Sequence, residues 1–222
     1  MLFLNPTKFN TMKKLLLICL GLGLISCSDE TKIDYAILSG KIVNPVNKEI
    51  TVFDDNDKVK TITISSEGTF VDTLKIEIGY YSLGHGRSRV TLFLNPGDDI
   101  KLSLNTEALN ETAEFSGIGS EDNAFLAAKY ISEAQYNLNY EKLYAMDESE
   151  FLAIMNEVKS SKIEFLKAAS SISEALRQSE EKTIENEFLK DLQNYIAKHS
   201  QYANENGYQP SKELLNLVES LK

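Results

Sequence analysis

Of the 222 residues only two are cysteine, two are histidine and four are proline; none is tryptophan. Both cysteines, Cys19 and Cys27, fall within the first 27 positions. From Ser28 onward there is no thiol, which excludes a disulfide framework, a thiolate metal site and cysteine chemistry from that stretch. The two histidines, His85 and His199, are far apart and cannot build a metal centre without carboxylate help. No HExxH, GxSxG, Walker or GxGxxG pattern occurs. Basic residues are also scarce: 23 Lys and Arg stand against 33 Asp and Glu, a formal charge of -10 with a pI near 4.8. Phosphate binding needs clustered Lys and Arg to release counterions, so nucleic acid drops out as a partner. What remains is an ordinary globular composition, 42% hydrophobic and 25% charged, enough for one large or two small cores.

Met12-Lys13-Lys14 and the apolar run Leu15 to Ile25 form a positive n-region and an h-region too short to span a bilayer. Translation is expected to start at Met12. The run ends in Leu24-Ile25-Ser26-Cys27, which resembles the bacterial lipobox, whose cysteine is acylated and becomes the first mature residue. Residues 1–26 are then the signal peptide and Cys27 the lipidation site. Cleavage there removes Lys8, Lys13 and Lys14 and no acidic residue, leaving 20 basic against 33 acidic side chains, a formal -13. Each buried acyl methylene contributes about 0.8 kcal/mol, so a multiply acylated terminus attaches an acidic body without any basic patch. Residues 27–34 form a polar linker whose last seven residues reach about 20 Å at about 3.3 Å each. Ser28, in place of Asp after Cys27, favours the outer over the inner membrane by resemblance to sorted lipoproteins. The expected place is the cell envelope, lipid-anchored and facing the periplasm or the surface.

From Tyr35 to Gly117 hydropathy has period two, with turn residues every eight to twelve positions. Strands are expected at Tyr35–Val43, Glu49–Asp54, Lys58–Ile64, Thr69–Ile76, Tyr80–Leu83, Arg89–Leu94, Asp99–Leu104 and Thr112–Phe115. Asp54-Asp55-Asn56-Asp57, Glu67-Gly68 and Asn95-Pro96-Gly97-Asp98 supply turns of identifiable chemistry. The pattern implies an antiparallel β-sandwich-like domain over 35–118.

After Gly119 the period becomes 3.6 and glycine is absent until Gly207. Ser120 is the expected N-cap of a first helix whose buried face would be Ala127, Ile131, Ala134 and Leu138. Tyr130, Tyr136, Tyr140 and Tyr144 recur along it, a stripe that reads as core or interface. Asp147 with Glu150 in a capping box opens a second helix carrying Phe151, Met155, Val158, Phe165, Leu166 and Ala169. A third, entered near Ser171, aligns Ile184, Phe188, Leu192, Tyr195, Ile196 and His199. Residues 119–206 thus read as a small helical bundle and 207–222 as a short terminal helix, giving an α+β chain overall.

Candidate chemistry is thin. Asp54, Asp55 and Asp57 lack the sixth-position Gly and distal Glu of a calcium loop. His85, in Gly84-His85-Gly86-Arg87, reads as part of a solvated hairpin loop, and His199 as a packed or half-exposed interface residue. Asn110-Glu111-Thr112 matches a glycosylation sequon that a bacterial signal peptide makes irrelevant. The residues therefore suggest no catalytic, metal or cofactor-binding site.

One order of motifs is recognisable: Ser39-Gly40-Lys41-Ile42, Glu67-Gly68-Thr69-Phe70, Gly79-Tyr80-Tyr81-Ser82-Leu83, Leu92-Phe93-Leu94-Asn95-Pro96-Gly97-Asp98-Asp99-Ile100, Phe115-Ser116-Gly117 and Asn123-Ala124-Phe125-Leu126. It resembles the N-terminal region of Bacteroidota lipoproteins of the TlpA type, thioredoxin-like thiol-disulfide oxidoreductases whose β-rich part is the domain of unknown function DUF4369. The resemblance runs from about Ala36 to Lys222. In that family a thioredoxin domain with Trp-Cys-x-x-Cys follows; this sequence contains no such motif, so no redox residue carries over. The resemblance implies a membrane-anchored, non-catalytic accessory segment that spaces a redox domain or selects its substrates. Its expected partners are the membrane and a thioredoxin domain or other envelope proteins, and the short terminal helix would lead into that absent domain. The alternative is a stand-alone envelope lipoprotein that captures a protein or small ligand between its sheet and helices. A hydrolase built on His85 and a carboxylate is the least supported class.

Overall fold

Alternate side chains of most strands turn inward, and that alternation builds the larger core. The computed structural model describes residues 33–54, 57–136 and 138–222. The expected signal peptide, Cys27 and the expected linker up to Lys32 lie outside the described residues, as do Asp55 and Asn56. The strands are β1 (Tyr35–Val43), β2 (Glu49–Asp54), β3 (Asp57–Thr63), β4 (Thr69–Lys75), β5 (Gly79–His85), β6 (Ser88–Leu94), β7 (Asp99–Asn105) and β8 (Glu114–Ile118). They form two four-stranded sheets, ordered β4-β1-β7-β8 and β3-β2-β5-β6. Leu38, Ile42, Ile50, Val52, Leu74, Leu83, Leu92, Ile100 and Leu102 fill the space between them.

Every pairing is antiparallel except β1 with β7, which run parallel in the middle of the first sheet. The sandwich is therefore mixed at its centre. Parallel neighbours need a long crossover, and here the second sheet supplies it, since β2, β3, β5 and β6 all lie between β1 and β7 in the chain. The two central strands approach so closely that a Cβ on Gly40 would lie 1.9 Å from the Leu102 carbonyl oxygen. Any larger residue at position 40 pushes the pair apart.

Among the described residues five helices follow: α1 (Ser120–Ala134), α2 (Tyr140–Ala145), α3 (Glu148–Ala168), α4 (Glu174–Tyr202) and α5 (Lys212–Ser220). A third layer begins where Phe93, on the outer face of β6, packs with Phe125, Leu126, Leu166, Ile172, Leu176 and Ile184. A separate core gathers α2 to α5 around Phe151, Met155, Phe188, Leu192 and Tyr195. There Phe151 stacks on Tyr195 with ring centroids 4.1 Å apart. Leu214 and Val218 of α5 are buried in the same core, whereas Leu215 faces outward.

The first helix differs from expectation in three ways. Its N-cap is Gly119, in the left-handed conformation at φ 87°, and Ser120 makes no cap hydrogen bond. A Cβ at Gly119 would sit 2.5 Å from the Asp98 carboxyl carbon, so that position is reserved for glycine. The buried residues are Asp122, Asn123, Phe125 and Leu126, while Ile131 and Ala134 are exposed. Finally, the helix stops at Ala134, and Asn139 caps a new one by accepting from the Lys142 N–H, so Tyr140 and Tyr144 belong to α2. Asparagine bonds nearby backbone more readily than it continues a helix. At α3, Asp147 is the N-cap residue but makes no side-chain cap bond. At α4 the cap is Ser173, not Ser171: its Oγ accepts from the Leu176 N–H at 3.1 Å.

Candidate functional site

His85 is buried, and the expectation of a solvated loop histidine is corrected. Its Nε2 accepts from the Val46 N–H at 2.9 Å and its Nδ1 lies 2.9 Å from the Glu49 carbonyl oxygen. An N–H can only donate and a carbonyl can only accept, so the ring proton sits on Nδ1. With both nitrogens engaged, the ring staples the β1–β2 connection to β5 and is not available to a substrate. His199 is also buried, its Nδ1 2.9 Å from the Tyr144 carbonyl oxygen and its ring against Tyr195 and Tyr208. Asp54 and Asp57 face each other across the β2–β3 hairpin. Among the described residues no group of three or more His, Cys, Asp or Glu side chains is placed to hold a metal ion. Cys27, the expected lipidation site, lies outside the described residues; among those described, no helix is long and apolar enough to cross a membrane.

The motif residues of β6, the Asn-Pro-Gly-Asp turn and the start of α1 converge on one polar joint. Asn123 Oδ1 accepts from the Phe93 N–H at 3.0 Å, and its Nδ2 donates to the Phe93 carbonyl at 3.0 Å and to that of Gly119 at 2.9 Å. Asp98 Oδ2 accepts from the Asn95 N–H at 2.8 Å. Asp122 accepts from both the N–H and the Oγ of Ser173, each at 2.6 Å, and so fixes the entry of α4. Asn95 Nδ2 lies within 3.5 Å of Asp98 and 3.4 Å of Asp122, so two buried carboxylates share one amide. Burial, and then the charge of Asp122, push the Asp98 carboxyl above its usual range.

A chain of charges joins the second sheet to three helices. Tyr80 of β5 donates to Glu180 Oε1 at 2.7 Å, and Lys129 of α1 reaches Glu180 Oε2 at 2.7 Å. Lys162 of α3 reaches Glu187 at 2.7 Å and Glu133 Oε1 at 3.2 Å. Three carboxylates thus face two ammonium groups, and the cluster is one charge negative. Burial, reinforced by Glu180, pushes the Tyr80 phenol up, which keeps it a donor. Burial pulls the Lys162 ammonium down, but Glu187 and Glu133 outweigh it and hold its pKa above the usual value. Glu180 is absent from the sequence-level reading because a carboxylate on an apolar stripe reads as solvated. Its position between Arg177 and Ile184, on the face that carries Leu176, is the signal that could have found it.

Over this cluster opens a cleft of ≈ 310 Å³, lined by Tyr80, Val90 and Thr91 of the sheet, Leu126, Ala127, Lys129, Tyr130 and Glu133 of α1, Glu180 and Thr183 of α4, and Asn110 from the β7–β8 connection. A second, open groove of ≈ 510 Å³ lies between α2 and α4. Its floor is Tyr144, pushed up to about 12 chiefly by burial, and Tyr140 and Tyr202 flank it with Lys190, Asp191 and Lys198. Both hollows mix charged with aromatic side chains. In comparisons with known proteins, no family model matches the chain, and no curated protein matches it.

Proposed function

We propose that this chain is the membrane-anchored, non-catalytic segment of an envelope thiol-disulfide oxidoreductase lipoprotein, which spaces a thioredoxin-like domain from the bilayer and selects its substrates. The anchor is an acylated Cys27. The supporting observation is where the motif residues that carry the family resemblance lie: Phe93, Asn95, Asp98 and Asn123 meet in the buried joint that locks the helices to the sheets. Residues spent on a rigid joint suit a part that holds two other things at a set distance. Reading the DNA beyond the Lys222 codon, in all frames and in the adjacent gene, tests it. A segment encoding Trp-Cys-x-x-Cys is the expected result, and its absence from all of them sinks the redox assignment.

A second reading, a stand-alone envelope lipoprotein that captures a protein or small ligand, draws support from the cleft between sheet and helices. Its volume falls at the low end of the roughly 300–1,000 Å³ usual for binding pockets.

A further inference from the structure

The edge of β6 is half closed, and the way it is closed shows what the other half accepts. Phe93 turns its N–H and C=O away from β5, and the carboxamide of Asn123 takes both, as the peptide group of a neighbouring strand would. Outward-facing groups recur at every second residue of an antiparallel strand, and the β5–β6 register is regular from His85↔Ser88 to Gly79↔Leu94. The N–H and C=O of Thr91 and Arg89 therefore point the same way. β6 is the terminal strand of its sheet, and no hydrogen bond among the described residues takes these groups. Thr91 is exposed and lines the 310 Å³ cleft.

One edge of the other sheet contrasts with it. On β4, Lys60 Nζ donates to the Thr73 carbonyl at 3.0 Å and the Ser65 N–H donates to that of Thr69 at 2.8 Å, so blocks stand on both sides of Val71. Proteins blunt exposed edges in this way to avoid pairing with other chains. The β6 edge is blunted at Phe93 and left open at two successive positions towards the hairpin.

We propose that the β6 edge at Arg89–Thr91 is a docking site for an extended segment of another polypeptide, which adds as a further strand and lays a basic side chain in the cleft. A residue paired opposite Thr91 presents its side chain on the face of the sheet that carries Tyr80, whose hydroxyl reaches Glu180. The ionic cluster beneath is one charge negative and the whole chain carries -10, which favours a cation there. Tyr130 and Ile131, 48% and 43% exposed, give the added strand an apolar wall on the helix side. Main-chain bonds then supply affinity and the cleft supplies selectivity. The proposal names what the cleft takes and rests on the substrate-selecting part of the reading above; the DNA beyond Lys222 tests the redox part, so the two can fail separately.

The test is a fluorescence-anisotropy titration of the full chain, purified in detergent, with a short synthetic peptide in which lysine alternates with valine and threonine. Two backbone-methylated versions, each blocking one of the two alternating sets of N–H groups, and a glutamate-for-lysine version complete the set. The parent peptide is expected to saturate. One methylated version should bind at least roughly tenfold more weakly while the other binds like the parent, since only one set of N–H groups faces β6. The glutamate version should also be weaker. Thr91→Pro, which removes an outward N–H at a position where an edge strand tolerates proline, should weaken the parent peptide comparably. The methylated peptides keep the test valid if that variant does not fold. No saturation up to about 1 mM, the weak end of the affinity scale, equal binding of both methylated versions, or equal binding of the glutamate version would overturn the proposal.

Discussion

The side chain of Asn123 completes the hydrogen bonding of the Phe93 backbone, accepting its N–H and donating to its C=O, each at 3.0 Å. Both residues are buried, so no water replaces either bond. An unsatisfied buried polar group costs about 1–3 kcal/mol. Asn123→Ala leaves two of them and should lower stability by about 2–4 kcal/mol, read as a shift in the urea midpoint. A loss below about 0.5 kcal/mol, the scale of an ordinary surface substitution, would show that the joint is incidental.

Removing one partner of a buried ion pair is costly because the other charge is left behind. Glu180 is 1% exposed and Lys129 is its cation. Lys129→Met is therefore expected to destabilise by about 3 kcal/mol or more. Adding Glu180→Gln removes the stranded charge while keeping an acceptor for Tyr80, and should restore a large part of that loss. A double variant no more stable than Lys129→Met would show that the charge is not the problem.

Asp98 has its folded-state pKa raised above 3.8, first by burial and then by Asp122. A raised carboxyl pKa means that the protonated form fits the fold better. Its favourable contribution is complete below 3.8 and is lost as pH rises through the folded value. Asp98→Asn keeps an acceptor for the Asn95 N–H and has nothing to lose, so its stability relative to wild type should climb between acid and neutral pH. Parallel pH profiles for the two proteins would count against the shared-amide strain.

Glu148 behaves in the opposite sense. Burial pushes its carboxyl up, but the hydroxyl and N–H of Ser211 and the phenol of Tyr208, at 2.7 Å, outweigh it and hold the pKa below 4.5. The contribution is present above 4.5 and disappears as pH falls through the lowered folded value. Because Ser211 caps α5, Glu148→Gln should speed amide exchange at Leu214 near neutral pH and make little difference in strong acid. Equal exchange rates at neutral pH would mean that α5 is held by Leu214 and Val218 alone.

Cys27→Ser tests the anchor. With no acyl chain the protein is expected in the soluble fraction after the envelope is opened, since nothing in a body of formal charge -13 attracts an anionic surface. Retention in the membrane pellet at wild-type levels would require another attachment.

Seven of the eight strands were legible because inside and outside alternate along a sheet with a strict period of two, a signal each strand carries by itself; the eighth, expected at Thr112–Phe115, lies at Glu114–Ile118, where no side chain is fully buried and the alternation is weak. The long helix α4 was legible for the same reason at period 3.6: Ile184, Phe188, Leu192, Tyr195 and His199 all lie buried on one face. The first helix was not. Its stripe of Ala127, Ile131 and Ala134 is as periodic as any, yet Asp122, Asn123, Phe125 and Leu126 are the buried residues, because the helix start is set by Gly119 fitting beside Asp98 and by Asn123 reaching Phe93. Those partners are 21 to 30 positions away in the chain, and periodicity is blind to them. The same limit hid His85, which reads as solvated until the fold brings Val46 and Glu49 to it, and Glu180, which the sequence does not single out until Tyr80 and Lys129 meet it. Spacing along one element follows from the backbone repeat and needs only the sequence; whether a polar side chain is buried depends on partners from other elements, which only the tertiary structure supplies.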